Sequence, residues 1–207
     1  MINKKDLLQL VNELSLSDEI NLSDIPDLHL YIGQVQSFLT DKLDHLKRSE
    51  TDKILTTTMI NNYTKDNLLM KPTKSKQYTK PHIILMILLY YLKQILSLDD
   101  IRKMFNAVLK DMSTIEDDVI PLEEIYSIFV ELKNDEFQNF NNTLSKNLSA
   151  IQEKTKSINS QNPDEKEQDQ EMAEWFLVVI MLVAQAHAQK RLAEKIIDTY
   201  FKKKDKE

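Results

Sequence analysis

LTTTMINNYTKDNLL (55–69), MKPTKSKQYTKPHI (70–83) and LKQILSLDDIRKMF (92–105) set a polar helix, a basic loop and an apolar helix in succession. Thr56 and Thr57 are good N-cap candidates for a helix running to about Lys65, because a threonine hydroxyl can accept an otherwise orphan N–H of the first turn. Met59, Ile60 and Tyr63 would then face inward. Thr58, Asn61, Asn62 and Lys65 recur at helical spacing on the opposite face. Pro72 stops any helix after Leu68 and Leu69. The loop Lys71–Tyr78 is basic, and too short and glycine-poor for a long hairpin. Thr79 caps the next helix with Pro81 near its first position, and that helix, roughly 80–96, is apolar nearly all round and reads as central core. Ser97 caps another, with Asp99 and Asp100 favouring its N-terminal dipole and Ile101, Met104, Phe105 and Val108 as its buried stripe.

Working outward, residues 3–14 predict a short amphipathic helix with Leu7, Leu10, Val11 and Leu14 on one stripe. The loop 15–26 is polar, with Ser17 and Ser23 as capping residues. Residues 28–46 carry apolar side chains at a spacing that fits one helix of about five turns. Gly33 inside it costs about 1 kcal/mol relative to alanine, which suggests close packing against another element. From Pro121 a long helix begins, with a slip in apolar phase between Leu132 and Phe137. Residues 153–171 are polar, contain Pro163, and read as a mobile linker. A last helix, about 171–203, carries Met172, Trp175, Phe176, Val179, Val183, Ala186, Lys190, Ala193, Ile197 and Tyr200 along one broad stripe.

With 207 residues and a net charge of -6, the chain is no polycation. Its charge is uneven, because residues 53–80 hold six lysines against one acid, Asp66. Such a basic segment in an acidic chain suits a nucleic-acid reader, or simply a solvated lysine-rich surface. The absence of cysteine excludes disulfides, thiol catalysis and cysteine-ligated zinc. Met1–Leu14 alternates lysines, acids and leucines without the apolar core of a secretory signal. The apolar runs Ile83–Leu92 and Trp175–Ala184 fall short of the roughly 17–25 residues that cross a bilayer, so both read as core. The expectation is a cytoplasmic protein with no membrane association.

The four histidines, His29, His45, His82 and His187, lie in separate segments without ligand spacing, and His82 reads as a packed or capping residue. Acid pairs at 99/100, 117/118 and 123/124 are better explained by helix starts and turns than by acid–base chemistry. No enzyme, metal or cofactor is therefore expected. Asparagine, however, can contact adenine bidentately and threonine can meet base edges, so Thr58, Asn61 and Asn62 are candidate base readers. Thr57, Lys65, Lys71, Lys74 and Lys76 are candidate phosphate contacts around them.

On Leu55, Thr56, Ile60, Tyr63, Lys65, Leu68 and Leu69, the first stretch resembles the recognition helix of MerR-type winged helix-turn-helix regulators. Tyr78-Thr79 resembles the end of the wing, and residues 96–105 the helix that follows. Asn61 and Asn62 stand where those regulators usually place arginine and tyrosine, and Asn67 stands for the usual glycine. IPDLHLYIGQVQSFL (25–39), KQYTKPHI and YYLKQILSLDDI extend the likeness over most of the chain to a bacterial family of unassigned function, domain of unknown function 1836.

The resulting expectation is an all-α protein. Residues 1–112 would form a helical, winged-helix-like DNA-binding region, and 113–207 a long-helix hairpin that dimerises. Its function would be that of a sequence-specific DNA-binding transcriptional regulator, with double-stranded DNA and a second copy of itself as partners. The alternative is a non-catalytic protein-interaction module that keeps the helix-turn-helix shape. A ligand-sensing reading would need an enclosed apolar cavity beside Trp175.

Overall fold

Ile83, Ile84, Ile87 and Leu89 are wholly buried, and the helix that carries them organises the larger of two cores. A computed structural model of the chain describes residues 1–15, 18–109, 121–157 and 166–201. Seven α-helices occur among them: α1 (Lys4–Glu13), α2 (Ile32–Leu43), α3 (Thr57–Lys65), α4 (Lys80–Leu92), α5 (Leu98–Val108), α6 (Leu122–Thr155) and α7 (Lys166–Tyr200). Two short strands, β1 (Leu30–Tyr31) and β2 (Gln77–Tyr78), pair antiparallel with Leu30 opposite Tyr78 and Tyr31 opposite Gln77. The fold is mostly all-α.

The chain divides into two units, and the division differs from the contiguous one expected. One unit is Met1–Asp18 with Leu132–Gln189; the other is Glu19–Glu131 with Lys190–Glu207. The reason is packing: Leu7 and Val11 of α1 share a core with Leu144, Leu148 and Ile151 of α6 and Val178 of α7. In this unit α6 and α7 pack against each other. Glu174 of α7, wholly buried, accepts hydrogen bonds from the Ile2 N–H (2.8 Å), the Thr155 hydroxyl (3.1 Å) and the Gln170 amide (3.1 Å). Three donors satisfy a carboxylate that would be costly to bury alone.

In the other unit, α4 contributes eight buried residues, and full burial of each large apolar side chain is worth about 1.5–3 kcal/mol. The start of α6 joins this core through Leu122, Tyr126 and Val130. The Tyr126 hydroxyl donates to the Ile20 carbonyl at 2.7 Å, which fixes the chain entering α2. The phase slip expected between Leu132 and Phe137 falls where α6 passes from one core to the other.

Several sequence expectations need correcting. The helix placed at 28–46 starts only at Ile32, because residues 30 and 31 are drawn into strand pairing and the Tyr31 N–H is bonded to Gln34 Oε1. Leu28 and Tyr31 are exposed instead of packed. Gly33 has open space where a Cβ would stand, so close packing is not its reason. Ser23 lies inside a 3-10 turn whose cap is Asn21, while Ser17 falls outside the described residues. Leu10 of α1 and Leu14 just after it are exposed, and only Leu7 and Val11 of the helix are buried. The helix expected at 80–96 stops at Leu92, and the Ile95 and Leu96 N–H groups both turn back to its carbonyl.

The C-terminal expectations also shift. Both ends of the segment read as a linker, 153–171, are helical, and 158–165 lies outside the described residues. On α7 the buried side is Glu174, Val178 and Ile197, with Leu182 and Gln185 half-buried. Phe176, Val179 and Val183, in the run expected as core, are exposed, and so are Met172 and Tyr200. By length and composition α7 is also apolar enough to cross a membrane, since its apolar window is longer than the ten-residue run suggested.

Candidate nucleic-acid interface

Nine residues, TTMINNYTK, form α3, and each end is fixed by its own chemistry. At the start, Thr56 Oγ1 accepts the Met59 N–H at 3.2 Å, an N-cap worth about 1 kcal/mol. At the end, Asn67 takes φ 54°, the left-handed conformation that asparagine tolerates better than most residues. The Leu68 N–H then reaches the Tyr63 carbonyl (2.8 Å) and the Asn67 N–H reaches Thr64 (3.3 Å), a Schellman closure that turns Leu68 and Leu69 into the core. Arg102 of α5 donates to the Asp66 carbonyl at 3.1 Å, placing a cation at the negative end of the helix.

The back of α3 is apolar and its front is polar. Ile60 is completely buried, with Met59 and Tyr63 half-buried beside it. Thr58, Asn61, Asn62 and Lys65 are all exposed, and their spacing keeps them on one face. Those four side chains make no hydrogen bond or ion pair with the described residues. Thr57 differs from them. Its hydroxyl donates to Gln36 Oε1 at 2.7 Å, while the Gln36 amide donates to the Leu55 carbonyl at 3.2 Å. Thr57 is thus a strut between α2 and α3, which the sequence alone offered no signal to find.

The basic loop is a tight turn. Thr73 N–H donates to the Gln77 carbonyl (2.9 Å), and the Lys76 N–H donates to Thr73 (2.8 Å). The three loop residues Lys74, Ser75 and Lys76 are exposed, and Lys76 sits at φ 58° in the left-handed region. Glycine is the usual occupant of a left-handed position in a turn. Lys71, Lys74 and Lys76 pair with no acid among the described residues, whereas Lys80 is held by Glu123 at 3.4 Å.

His82 ties the loop to the core helix. Its Nδ1 accepts the Thr79 N–H at 3.1 Å and meets the Thr79 hydroxyl at 2.8 Å. Because a backbone N–H can only donate, Nδ1 is unprotonated and Nε2–H donates to the Lys71 carbonyl at 2.9 Å. Burial lowers the pKa of His82, opposed by that bond to Lys71, and neighbouring His29 lowers it further. His82 is a capping and bracing residue, as its position suggested.

A family model described as a domain of unknown function matches residues 20–129. The chain belongs to the DUF1836 family. The matched segment takes in α2 to α5, both strands and the start of α6, so every element around α3 lies within the DUF1836 domain. No curated protein and no solved structure matches the chain.

Proposed function

We propose that this DUF1836 protein is a cytoplasmic, sequence-specific DNA-binding regulator of transcription, with α3 as its reading helix in the manner of a MerR-like winged helix-turn-helix. The observation that carries the reading is the exposed face of Thr58, Asn61, Asn62 and Lys65, backed by a wholly buried Ile60. Amides and a hydroxyl without partners among the described residues are what base edges in a major groove require. Lys65, Lys71, Lys74 and Lys76, unpaired among the described residues, supply charge for phosphates. Lys76 adds weight, because a charged residue stands in a conformation that costs it roughly 1–2 kcal/mol and would cost glycine nothing. Strain retained at an exposed cation points to a use for that cation.

The proposed protein is non-catalytic and acts as a homodimer. Met172, Phe176, Val179 and Val183 recur at intervals of four, three and four, the seam of a coiled coil, and all four are exposed. A second copy pairing along this stripe would cover it and present two α3 helices to a palindromic site. The same stripe favours the second reading, a protein-interaction module whose working surface is α7. Selection of genomic fragments by the purified chain, at stated salt, separates the two. Enrichment of a palindromic sequence supports the regulator, and no enrichment at low ionic strength supports the interaction module.

A further inference from the structure

A cavity of about 250 Å³ lies in the unit that carries α3, walled by α4, α5, the start of α6 and Phe201. Of its twelve lining side chains, only Tyr91 carries an oxygen or nitrogen atom. Tyr91 and Phe129 meet edge to face at 5.9 Å and form an aromatic wall. Leu88, Met104, Val108 and Ile125 are half-buried lining residues, so among the described residues the space opens at the surface. The sequence asked for a ligand pocket beside Trp175, and Trp175 is not among the residues that line this one.

We infer that this cavity is a binding site for a small, uncharged, apolar molecule. Small-molecule sites are concave and mostly apolar with few polar groups, and this recess has that lining. Water is a poor occupant, because an ordered water needs two to four polar partners and the walls offer almost none. A charged or strongly hydrogen-bonding ligand would surrender its hydration without replacement. A hydrocarbon body loses nothing on entry and gains contact with the rings of Tyr91 and Phe129. An apolar cavity of about 150 Å³ accepts benzene, so this one takes a ligand on the order of ten heavy atoms.

The test titrates naphthalene into the full chain, with 2-naphthoate as a control of similar size and opposite polarity. Saturable binding of one naphthalene per chain is expected, at least tenfold tighter than 2-naphthoate. Val108→Phe and Ile125→Phe, which fill the cavity with extra carbon, should each weaken naphthalene binding at least tenfold. Equal binding by both variants, equal binding of 2-naphthoate, or no saturable binding overturns the proposal. Should either variant fail to fold, methyl resonances of the unsubstituted chain decide: shifts at Leu88, Val108 and Ile125 on adding naphthalene support the site, and unmoved resonances overturn it.

Discussion

Nε2 of His82 lies 2.9 Å from the carbonyl oxygen of Lys71, and this bond holds the basic loop against the first turn of α4. The opposite ring nitrogen is occupied by Thr79, so the ring can bridge both only while neutral.

A pH dependence follows. Because the folded pKa of His82 is lowered, chiefly by burial, the unfolded chain takes up this proton at higher pH than the folded one. Stability is intact above the ordinary histidine value of about 6.5 and is lost as pH falls through the lowered one. Urea unfolding at a series of pH values should show this loss, and His82→Ala should reduce it. At neutral pH the same substitution should cost about 1–3 kcal/mol, since it strands buried partners of the ring. An unchanged pH profile in the variant would remove His82 from this role.

Gly33 offers a stabilising change. It is a helical residue with open space at its Cβ and no positive φ. Gly33→Ala should raise stability by about 0.5–1 kcal/mol, through lower backbone entropy in the unfolded chain. Thermal unfolding checks the sign.

Lys76 should show opposite effects on stability and binding. Lys76→Gly relieves the left-handed conformation at φ 58° and should stabilise the fold by about 1 kcal/mol. The same change should weaken DNA binding and lower its salt dependence. A destabilised variant would mean that the lysine side chain supports the turn.

Phe176 sits in the exposed stripe of α7 at 65 % exposure. Phe176→Glu should leave helix content unchanged and convert a dimer to a monomer by light scattering, because it puts like charges across a symmetric apolar seam. A wild-type chain that is already monomeric at micromolar concentration would refute the pairing.

Local chemistry made much of this molecule legible in its sequence. Thr56, Thr79 and Ser97 cap α3, α4 and α5 as their side chains and flanking residues indicated. The inward Ile60 and outward Asn61 and Asn62 followed from helical period alone. Long-range geometry was not legible. Nothing in a glutamine or an arginine announces that Gln36 will brace Thr57 or that Arg102 will reach Asp66, since both contacts depend on tertiary placement. The apolar run 175–184 of α7 was read as core for a related reason, yet Phe176, Val179 and Val183 are exposed. That helix is apolar on more than one side, so periodicity could not say which side α1 and α6 would cover.

Whether α3 reads bases is decided by fluorescence anisotropy on the best selected duplex, comparing the wild-type chain with Asn61→Ala and Lys74→Ala across a salt series. The account predicts that Asn61→Ala loses about 1–3 kcal/mol on that duplex and little on scrambled DNA, so that preference relaxes at one position. Lys74→Ala should weaken both duplexes alike and reduce the salt slope by about one. Equal affinity of all three proteins for both duplexes would contradict it.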